Sequence, residues 1–496
     1  MSRRKSNHNQ AARQWRRTKI VATLGPASNS PAMIEQLIAA GVNVVRVNLS
    51  HGDAETHRIT VQRVRRAARK AGLHIAILMD LCGPKIRVGK FQDGAIELLA
   101  GQRVTLTTRR CVWQTGLIPS QYRDLHRDVQ PGERILLDDG KLGLRVERVD
   151  GSDVQCRVEE GGRLSDRKGM NLPNSDLSAA TLTAKDRRDV ELAVELEVDF
   201  VALSFVRSAR NVAQLKRLLK KHGSDIPVVS KIERPEAVAD IEAIMDASFG
   251  IMIARGDLGV EIGDAELPAV QKRLISEARS LNCVVITATQ MMESMIQNPI
   301  PTRAEVFDVA NAVLDGTDAV MLSAESATGH YPTKAVEAMD RVCEEAEKQS
   351  QTRRSDHRLH SVFGRIDEAI AMATMYTANH LGVAAIAALT ESGSTCKWMS
   401  RISSGIPIYA LTSQVATRRK VTLFRGVYPV SFDLEPGIDS RQANIEVIEE
   451  LQRRGAVRDD DLVIITKGDL NGVSGGTNVM KIVRVGEHIP TTGQLN

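Results

Sequence analysis

Eight short apolar runs recur along this chain of 496 residues, and they constrain its fold more than any other feature. Runs of this length bounded by turn signals are typical of buried parallel strands. The stretches between most of them have helical spacing, as in Glu236–Asp246, where Val238, Ile241 and Ile244 recur. Eight strand–helix units predict an α/β fold, a (β/α)8 barrel rather than an open sheet. The predicted strands are Lys19–Pro26, Val42–Ser50, His74–Asp80, Val198–Phe205, Pro227–Glu233, Phe249–Asp257, Cys283–Gln290 and Asp318–Glu325.

Most of the predicted strands end in polar side chains that could carry chemistry. These side chains are Arg46, Asn48, Ser50, Asp80, Ser204, Lys231, Glu233, Arg255, Asp257, Thr287, Thr289, Gln290, Ser323 and Glu325. Catalytic groups of a (β/α)8 barrel lie at the C-terminal ends of its strands. Two carboxylates beside a lysine, here Glu233, Asp257 and Lys231, can hold a hard divalent cation and an anionic substrate together. A structural salt bridge would explain one such cluster, but the repetition at successive strand ends favours an active site.

Two further regions interrupt or follow the barrel pattern. From about Gly83 to Leu182 the chain has short alternating segments and no convincing helix, which predicts a small all-β lid domain. Within it, Asp138-Asp139-Gly140 predicts a hairpin turn. After a polar linker, strands and helices alternate again and predict a C-terminal α/β domain. The predicted division is a basic tail at 1–18, a barrel at 19–84 and 183–346, the lid at 85–182, a linker at 347–360 and the C-terminal domain at 361–496.

Composition narrows the class of protein. Charged residues make up 26% of the chain, as in soluble globular proteins, and no apolar run reaches membrane-spanning length. The net charge is +5, and the chain before the first predicted strand is basic with no acidic residue. That segment predicts a solvated tail, with a nucleic-acid arm or a transit peptide as alternatives. The six cysteines are scattered without C-x-x-C spacing, which favours a reducing cytoplasm over disulfides or zinc.

Several segments resemble pyruvate kinases, in the same order along the chain, from about Arg17 to the C-terminus. The matching segments are Ile20–Ala27, Arg46–Gly52, Asp80–Arg87, Ser230–Glu233, Ala254–Gly259, Thr287–Ser294, Pro301–Glu305 and Met321–Glu325. Blocks of this length in the family's order are specific, although Arg-Gly-Asp-Leu alone would carry little weight. The resemblance implies a barrel interrupted after its third strand by a β lid, followed by a C-terminal effector domain. Both agree with the domains predicted from the pattern.

The resemblance implies a glycolytic enzyme that transfers the phosphoryl group of phosphoenolpyruvate to ADP and then protonates the enolate to give pyruvate. Glu233 and Asp257 would ligate Mg²⁺, which Mn²⁺ could replace. Lys231 would stabilise the transferring phosphoryl group and the developing enolate. Arg46 would bind the substrate phosphate, because a guanidinium fork fits phosphate oxygens.

The resemblance also assigns supporting residues. Gly256 would let the backbone approach the substrate carboxylate, and Thr289 would hydrogen-bond that carboxylate and help to order the protonating water. Ser323 and Glu325 resemble members of the proton relay, with satisfied strand-end polar groups as the alternative. Arg87 and Lys168 stand at the family's nucleotide-phosphate positions, one at each end of the lid.

The segment after the third predicted strand departs from the family pattern. Members that require K⁺ have threonine and glutamate where this chain has Leu81 and Lys85. A lysine ammonium could take over the charge of K⁺, and in the family this substitution accompanies K⁺ independence. We therefore expect Asn48, Ser50 and Asp80, which resemble cation ligands, to surround the Lys85 ammonium, so that K⁺ is not required. The alternative is that Lys85 points to solvent and K⁺ still binds.

A second ligand site is predicted in the C-terminal domain, where a short loop joins a strand to a helix. Its residues are Thr390, Glu391, Ser392, Gly393, Ser394 and Thr395. Backbone N–H groups and hydroxyls there suit an anionic phosphate, with a plain strand–helix turn as an equal alternative. By resemblance, the activator would be a phosphorylated sugar or a nucleotide monophosphate, and the enzyme a homotetramer. In the lid, Asn174 replaces the glycine that usually follows Asn-Leu-Pro, which leaves the hinge geometry open.

Other classes of function stay open at this point. Metal-dependent lyases that act on pyruvate enolates also place Glu and Asp on successive strands, but they would not need Lys231, Arg87 and a lid with Lys168. A catalytically silent paralogue would be favoured by loss of a metal carboxylate, and both Glu233 and Asp257 are present. A nucleic-acid binder would need aromatic side chains for base stacking, and these make up only 3% of the chain.

Overall fold

The computed structural model describes residues 16–109, 116–173, 175, 178, 180–353, 362–435, 437–468 and 475–487. Most of the predicted basic tail, the second half of the predicted linker and Asn174 lie outside these ranges. Within them, no helix is both long enough and apolar enough to cross a membrane. The free cysteines in the described ranges are Cys82, Cys156, Cys283, Cys343 and Cys396.

The chain begins with three strands of a parallel barrel. The elements are β1 (Lys19–Leu24), α1 (Pro31–Ala40), β2 (Val44–Asn48), α2 (Ala54–Ala71) and β3 (Ala76–Asp80). The strands are almost wholly buried because one face points into the barrel and the other packs against helices. A side-chain cap starts helix α1: Ser30 Oγ accepts a hydrogen bond from Met33 N at 3.3 Å, and Pro31 is the first helical residue.

A small all-β domain leaves the barrel after β3, as predicted. Gly83 permits the crossing, because its φ is +64° and a Cβ there would lie 2.9 Å from Phe205 Cδ2. Strands β4 and β10 form a two-stranded sheet, and the other strands form a six-stranded sheet in the order β11-β7-β8-β9-β5-β6. The predicted hairpin is confirmed, since β7 and β8 pair antiparallel around Asp138-Asp139-Gly140, where all three φ angles are positive. The elements of this lid are β4 (Ala95–Leu98), β5 (Arg103–Thr107), β6 (Leu117–Pro119), α3 (Leu125–Asp128), β7 (Arg134–Leu137), β8 (Leu142–Asp150), β9 (Asp153–Glu160), β10 (Gly162–Ser165) and β11 (Met170–Asn171).

The chain then returns and completes the barrel. The elements are α4 (Ala184–Glu195), β12 (Phe200–Leu203), α5 (Ala209–Lys221), β13 (Val228–Ile232), α6 (Pro235–Ala239), α7 (Ile241–Ala247), β14 (Gly250–Ala254), α8 (Arg255–Ile262), α9 (Leu267–Ser280), β15 (Val284–Ala288), α10 (Arg303–Asp315), β16 (Ala319–Leu322), α11 (Ala324–Ala327) and α12 (Pro332–Ala346), with 3₁₀ turns at Glu293–Ile296 and Ser350–Thr352. The parallel strands close in the order β1-β16-β15-β14-β13-β12-β3-β2, which confirms the predicted (β/α)8 barrel.

Two differences from the predicted boundaries fall between Glu236 and Asp257. The strand predicted at Phe249–Asp257 ends at Ala254, and Arg255 already begins α8. The single helix predicted at Glu236–Asp246 is divided at Asp240 into α6 and α7. In both places the apolar spacing is right, but it does not show where the backbone turns.

The C-terminal α/β domain is also confirmed. Its elements are α13 (Ile366–Leu381), β17 (Ala385–Leu389), α14 (Ser394–Ser400), β18 (Ile408–Thr412), α15 (Val415–Lys420), β19 (Val427–Ser431), α16 (Ser440–Arg453), β20 (Leu462–Gly468) and β21 (Thr477–Arg484), with a 3₁₀ turn at Val421–Leu423. The sheet order is β19-β18-β17-β20-β21, and only β21 is antiparallel to its neighbour. Strand β21 lies at the edge of this sheet, and of its eight side chains only Thr477 and Val483 are buried.

An aromatic stack connects the barrel interior to the C-terminal domain. The ring centroid of Phe249 lies 5.3 Å from that of Phe200, inside the barrel, and 5.8 Å from that of Phe424, in the C-terminal domain. Offset aromatic pairs at such distances are favourable beyond the apolar area that they bury. A single apolar core therefore runs from the barrel, through the N-terminal ends of its strands, into the C-terminal sheet.

A buried ion pair crosses the same junction. Arg401 Nη1 lies 2.7 Å from Asp318 Oδ2 and donates to Cys283 O at 2.7 Å. The same Asp318 oxygen accepts a hydrogen bond from Val285 N at 2.9 Å. Both charged side chains are only 1% exposed, so each depends on the other for compensation.

The last residues of the predicted basic tail belong to the folded protein. Arg17 and Thr18 are 6% and 0% exposed, and their backbone N–H groups donate to the Glu347 carboxylate at 2.8 and 2.6 Å. Because Glu347 directly follows α12, these contacts tie the start of β1 to the end of the barrel.

Replacing Asp318 with Ala should destabilise the protein by about 3–5 kcal/mol, because Arg401 would stay buried without its counter-charge. The shift of the urea unfolding transition measures the effect. Removing both charges, in Asp318→Ala/Arg401→Met, should recover much of the loss. Glu35→Ala, which breaks the exposed pair between Lys70 and Glu35, should shift the transition little. A stable Asp318→Ala single variant would show that Arg401 is compensated elsewhere.

Candidate active site

Charged side chains from neighbouring strands meet at the C-terminal end of the barrel. Lys231 Nζ lies 2.7 Å from Glu233 Oε1, 2.8 Å from Ser204 Oγ and 3.6 Å from Asp80 Oδ2. Arg46 contacts the same Asp80 oxygen through Nη2 at 2.7 Å and through Nε at 2.8 Å. Barrel closure explains the cluster, because the ends of parallel strands meet at one rim.

The charges in this cluster shift one another's pKa values. Burial alone would lower the pKa of Lys231, but the carboxylates of Asp80 and Glu233 outweigh it and raise that pKa well above its ordinary value. Burial would raise the pKa of Asp80, but Lys231 and Arg46 together lower it. For Glu233 burial prevails: its pKa stays raised although Lys231 opposes the shift, and the nearby charge of Asp257 adds to it. The site thus holds a permanent cation and one carboxylate whose charge is incompletely compensated.

Asp257 supplies a second carboxylate beside Glu233. It is half-buried in the first turn of α8, and its carboxylate makes no hydrogen bond or ion pair with any residue that the structure describes. No cluster of three or more His, Cys, Asp or Glu side chains able to hold a metal occurs in the described ranges. Mg²⁺ usually binds through one or two carboxylates and takes its other ligands from water and substrate phosphates. Glu233 and Asp257 fit that pattern.

The turn after β15 places Thr289 against the start of α8. Thr289 Oγ1 accepts a hydrogen bond from Gly256 N at 2.7 Å and donates one to Ala288 O at 2.6 Å. A Cβ at Gly256 would lie 3.5 Å from Thr289 Oγ1, an ordinary contact distance. The protein's own packing therefore does not require glycine at this position.

Ser323 directly follows β16, and Glu325 lies in α11 rather than in the strand that was predicted to reach it. Ser323 Oγ is buried and has no hydrogen-bond partner among the residues described. Glu325 is 2% exposed and accepts hydrogen bonds from Ser323 N at 2.7 Å and Met292 N at 3.1 Å. Burial nevertheless raises the pKa of Glu325. A buried hydroxyl with unused hydrogen-bonding capacity, near a carboxyl group whose pKa burial raises, could carry a proton.

Arg87 and Lys168 come together although 80 residues separate them. The backbone at Arg87 pairs with Gly169, so the two stems of the lid run side by side. Lys168 Nζ lies 2.7 Å from Asp138 Oδ1, in the lid hairpin. Together with burial, the positive charge of Arg87 lowers the pKa of His51 at the barrel rim. Both cations therefore stand near the space between lid and barrel.

The structure does not form the predicted cage around Lys85. Lys85 is exposed, and among the described residues its ammonium has no hydrogen bond or ion pair with Asn48, Ser50 or Asp80. Asn48 Oδ1 instead accepts a hydrogen bond from Ser50 N at 3.1 Å. Asp80 is already engaged by the two cations described above. Leu81 is 1% exposed and packs in the core.

The path of the backbone explains this difference. Gly83, in the left-handed region, and Pro84 lead the chain from β3 into the lid. Lys85 consequently lines a cavity beside the lid stem, which also includes Asp257 and Met170.

The lid is connected to Glu233 and Asp257, the candidate metal ligands, through Arg234, Glu261 and Asn171. The sequence patterns did not indicate these three residues. Arg234 directly follows Glu233, is 3% exposed, and its Nη1 lies 3.0 Å from Glu261 Oε2. Glu261 lies one helical turn after Asp257 and accepts a hydrogen bond from Asn171 Nδ2 at 3.2 Å. The sequence could have indicated Arg234 and Glu261 by their positions next to Glu233 and one helical turn after Asp257, because residues adjacent to a metal ligand often orient it.

The candidate effector loop forms a tight turn between β17 and α14. Gly393, with φ +79°, donates its N–H to Thr390 Oγ1 at 2.9 Å, and Ser392 Oγ donates to Ser394 Oγ at 3.2 Å. Thr395 is 1% exposed, and its hydroxyl pairs with β21 at 2.7 Å. The half-exposed serines are therefore more accessible to a ligand than Thr395.

Two family models match the chain. The model described as "Pyruvate kinase, barrel domain" matches residues 15–336, and the one described as "Pyruvate kinase, alpha/beta domain" matches residues 368–483.

Alignments with similar proteins extend over almost the whole chain. Pyruvate kinase II of Salmonella typhimurium is 49% identical over 480 residues, which are 96% of this chain and 100% of that protein. The pyruvate kinase of Haemophilus influenzae is 48% identical over 482 residues, with the same two coverages. The crystal structure of a pyruvate kinase from Cryptosporidium parvum superposes with a TM-score of 0.88 at 35% identity, covering 95% of this chain and 96% of the other.

Replacing Asp257 with Asn should weaken divalent-cation binding at least about tenfold, because even outer-shell changes cost about 10–100-fold at metal sites. Titration of the protein with Mn²⁺, followed by electron paramagnetic resonance, measures the affinity. Asp264→Asn is the matched control, since Asp264 is exposed shortly after α8 and loses the same charge. Equal Mn²⁺ affinity in the two variants would exclude Asp257 as a ligand.

Proposed function

Because the chain belongs to the pyruvate kinase family, we propose that its barrel site transfers the phosphoryl group of phosphoenolpyruvate to ADP with Mg²⁺, without a requirement for K⁺, and under activation by a phosphorylated metabolite. The arrangement that carries this proposal is the Lys231 ammonium, buried between Asp80 and Glu233 with Arg46 beside it. It provides fixed positive charge where an anionic substrate must bind.

The reaction needs charge stabilisation more than covalent chemistry. The bond between phosphorus and the enol oxygen breaks, a bond from phosphorus to a β-phosphate oxygen of ADP forms, and the enolate takes a proton at its methylene carbon. Lys231 remains cationic, because its pKa is raised, and would stabilise charge on the transferring group and on the enolate oxygen. Arg46 is pre-oriented by Asp80 to receive the phosphate.

Glu233 and Asp257 would hold the divalent cation, which when bound neutralises charge on the carboxylate and phosphate oxygens of the substrate. Gly256, which adds no side chain at this place, and the hydroxyl of Thr289, on giving up its hydrogen bond to Ala288 O, would position the substrate carboxylate. Ser323 and Glu325 would carry the proton to the enolate, a role supported by the unpartnered hydroxyl and the raised pKa of the carboxyl group.

The lid would complete the nucleotide site. Arg87 and Lys168 lie on its adjacent stems and would bind the phosphates of ADP. Contacts of Arg234 and Glu261 with the stem at Asn171 link the lid to the carboxylates, so lid closure and cation binding would favour each other. Closure would exclude water and limit wasteful hydrolysis.

The balance of charge around Asp80 supports K⁺ independence, although the predicted cage of ligands around Lys85 does not form. Asp80 is the one carboxylate among Asn48, Ser50 and Asp80, and Arg46 and Lys231 already neutralise it. Little negative charge is left there to attract K⁺. Lys85, in the cavity that Asp257 also lines, adds positive charge where K⁺-requiring relatives would carry a glutamate.

The initial rate with phosphoenolpyruvate, ADP and Mg²⁺ should be the same in K⁺ and in tetramethylammonium, because we expect no site to require K⁺. Lys85→Glu should become K⁺-dependent, while Lys231→Gln should lose about 100–1,000-fold in kcat in both salts. Lys90→Glu, an equal charge change on an exposed lysine farther along the lid, is the control. Activity of the parent only in K⁺ would refute K⁺ independence. An unimpaired Lys231→Gln would refute the catalytic role of Lys231.

For regulation, we propose that the loop at 390–395 binds the phosphate of a sugar phosphate or a nucleotide monophosphate. Its support is the turn at Gly393 and the accessible hydroxyls of Ser392 and Ser394. The loop leads into α14, after which Arg401 contacts Asp318 at the base of β16. A change in the loop could thus reach the barrel. The homotetramer and the cytoplasmic location remain predictions.

Replacing Ser394 with Asp should abolish activation by glucose 6-phosphate and by AMP, because a fixed negative charge would repel the phosphate. Rates at subsaturating phosphoenolpyruvate, with and without each compound, measure the response. Ser413→Asp, an exposed serine after the neighbouring strand β18, should keep the response of the parent. Full activation of the Ser394→Asp variant would exclude this loop as the phosphate site.

A further inference from the structure

The turn that carries Thr289 has an unfavourable backbone conformation. Thr289 and the next residue, Gln290, have φ angles of +68° and +53°, in the left-handed region. A β-branched residue rarely adopts this region, and the conformation persists only where surrounding contacts hold it. The conformation brings Thr289 Oγ1 to 2.7 Å from Gly256 N.

Arg255 provides contacts that hold this turn. Its guanidinium donates to Thr289 O through Nη2 at 2.8 Å and through Nε at 3.2 Å, and Nη2 also donates to Gln290 O at 3.2 Å. Arg255 is 7% exposed, so these hydrogen bonds form largely away from water. The guanidinium therefore binds the carbonyls of both left-handed residues.

Asp308 fixes the guanidinium in turn. Its Oδ1, on α10, lies 2.7 Å from Arg255 Nη1, which also donates to Gln271 Oε1 on α9 at 3.4 Å. Asp308 is a partly exposed side chain, whereas Arg255 is buried. A continuous set of polar contacts thus leads from α10 through Arg255 to the backbone carbonyls of Thr289 and Gln290.

We propose that Asp308 and Arg255 are positioning residues that keep Thr289 aimed at the substrate carboxylate. This inference rests on the proposed role of Thr289. Neither side chain has to contact the substrate. Arg255 acts through the backbone of the turn, and Asp308 acts by orienting the guanidinium of Arg255. Displacement of a positioning group by about 1 Å can cost about 100-fold in rate.

The test is Asp308→Asn, which removes the charge and keeps the size of the side chain. It should lower kcat/KM for phosphoenolpyruvate about tenfold and leave the KM for ADP unchanged, because only the turn at Thr289 moves. Arg255→Lys, which cannot bind both carbonyls at once, should give the same pattern. Asp315→Asn is the matched control, since Asp315 ends α10 and pairs with Lys272 on α9, away from the turn.

A rescue variant separates positioning from a general structural role. Glycine adopts the left-handed region freely, so Gln290→Gly should restore part of kcat/KM for phosphoenolpyruvate in the Asp308→Asn background. A loss of packing elsewhere would not be repaired by that change. Thermal melting of each variant monitors folding.

Thr289→Ala distinguishes this inference from the function on which it rests. If Thr289→Ala impairs use of phosphoenolpyruvate but Asp308→Asn and Arg255→Lys have the kinetics of the parent, the positioning role is overturned. If Thr289→Ala itself has the kinetics of the parent, the proposed role of Thr289 fails. Impairment of all three variants, with rescue by Gln290→Gly, supports the proposal.

Discussion

The catalytic end of the barrel depends on a lysine ammonium held between two buried carboxylates. Lys231 lies 2.7 Å from Glu233 and 3.6 Å from Asp80, and both carboxylates are only 1% exposed. Burying a charged side chain without a charge of opposite sign beside it strongly destabilises the folded protein. The same attraction keeps Lys231 protonated, so a fixed positive charge is present before any substrate binds.

The two ends of the barrel have different roles. At the N-terminal end, Phe249 and the pair between Asp318 and Arg401 join the barrel to the C-terminal domain. At the C-terminal end, polar side chains face the lid. Strand β16 runs from directly after Asp318 to directly before Ser323, so one strand connects the domain junction to the candidate active site. In (β/α)8 barrels generally, the N-terminal ends of the strands contribute to stability and the C-terminal ends carry the catalytic residues.

Local patterns predicted much of the fold and part of the site. Short apolar runs located all the barrel strands, because strands buried on both faces are apolar throughout. Polar residues at strand ends indicated Arg46, Lys231 and Glu233 as neighbours, because closure of a parallel barrel brings those ends to one rim. The Asp138-Asp139-Gly140 hairpin followed from turn chemistry alone. These are consequences of sequence over a few consecutive residues.

The sequence by itself therefore determined the order of strands and helices, the lid inserted after β3, and which residue types stand at the rim. Tertiary structure decided where individual side chains point. Asp80 pairs with Arg46 and Lys231 rather than with Lys85, and Arg255 binds the turn at Thr289 while Asp308, fifty-three residues away, orients it. Apolar periodicity records burial, which is local to each element. The direction of a side chain and its distant partner depend on the path of the whole backbone.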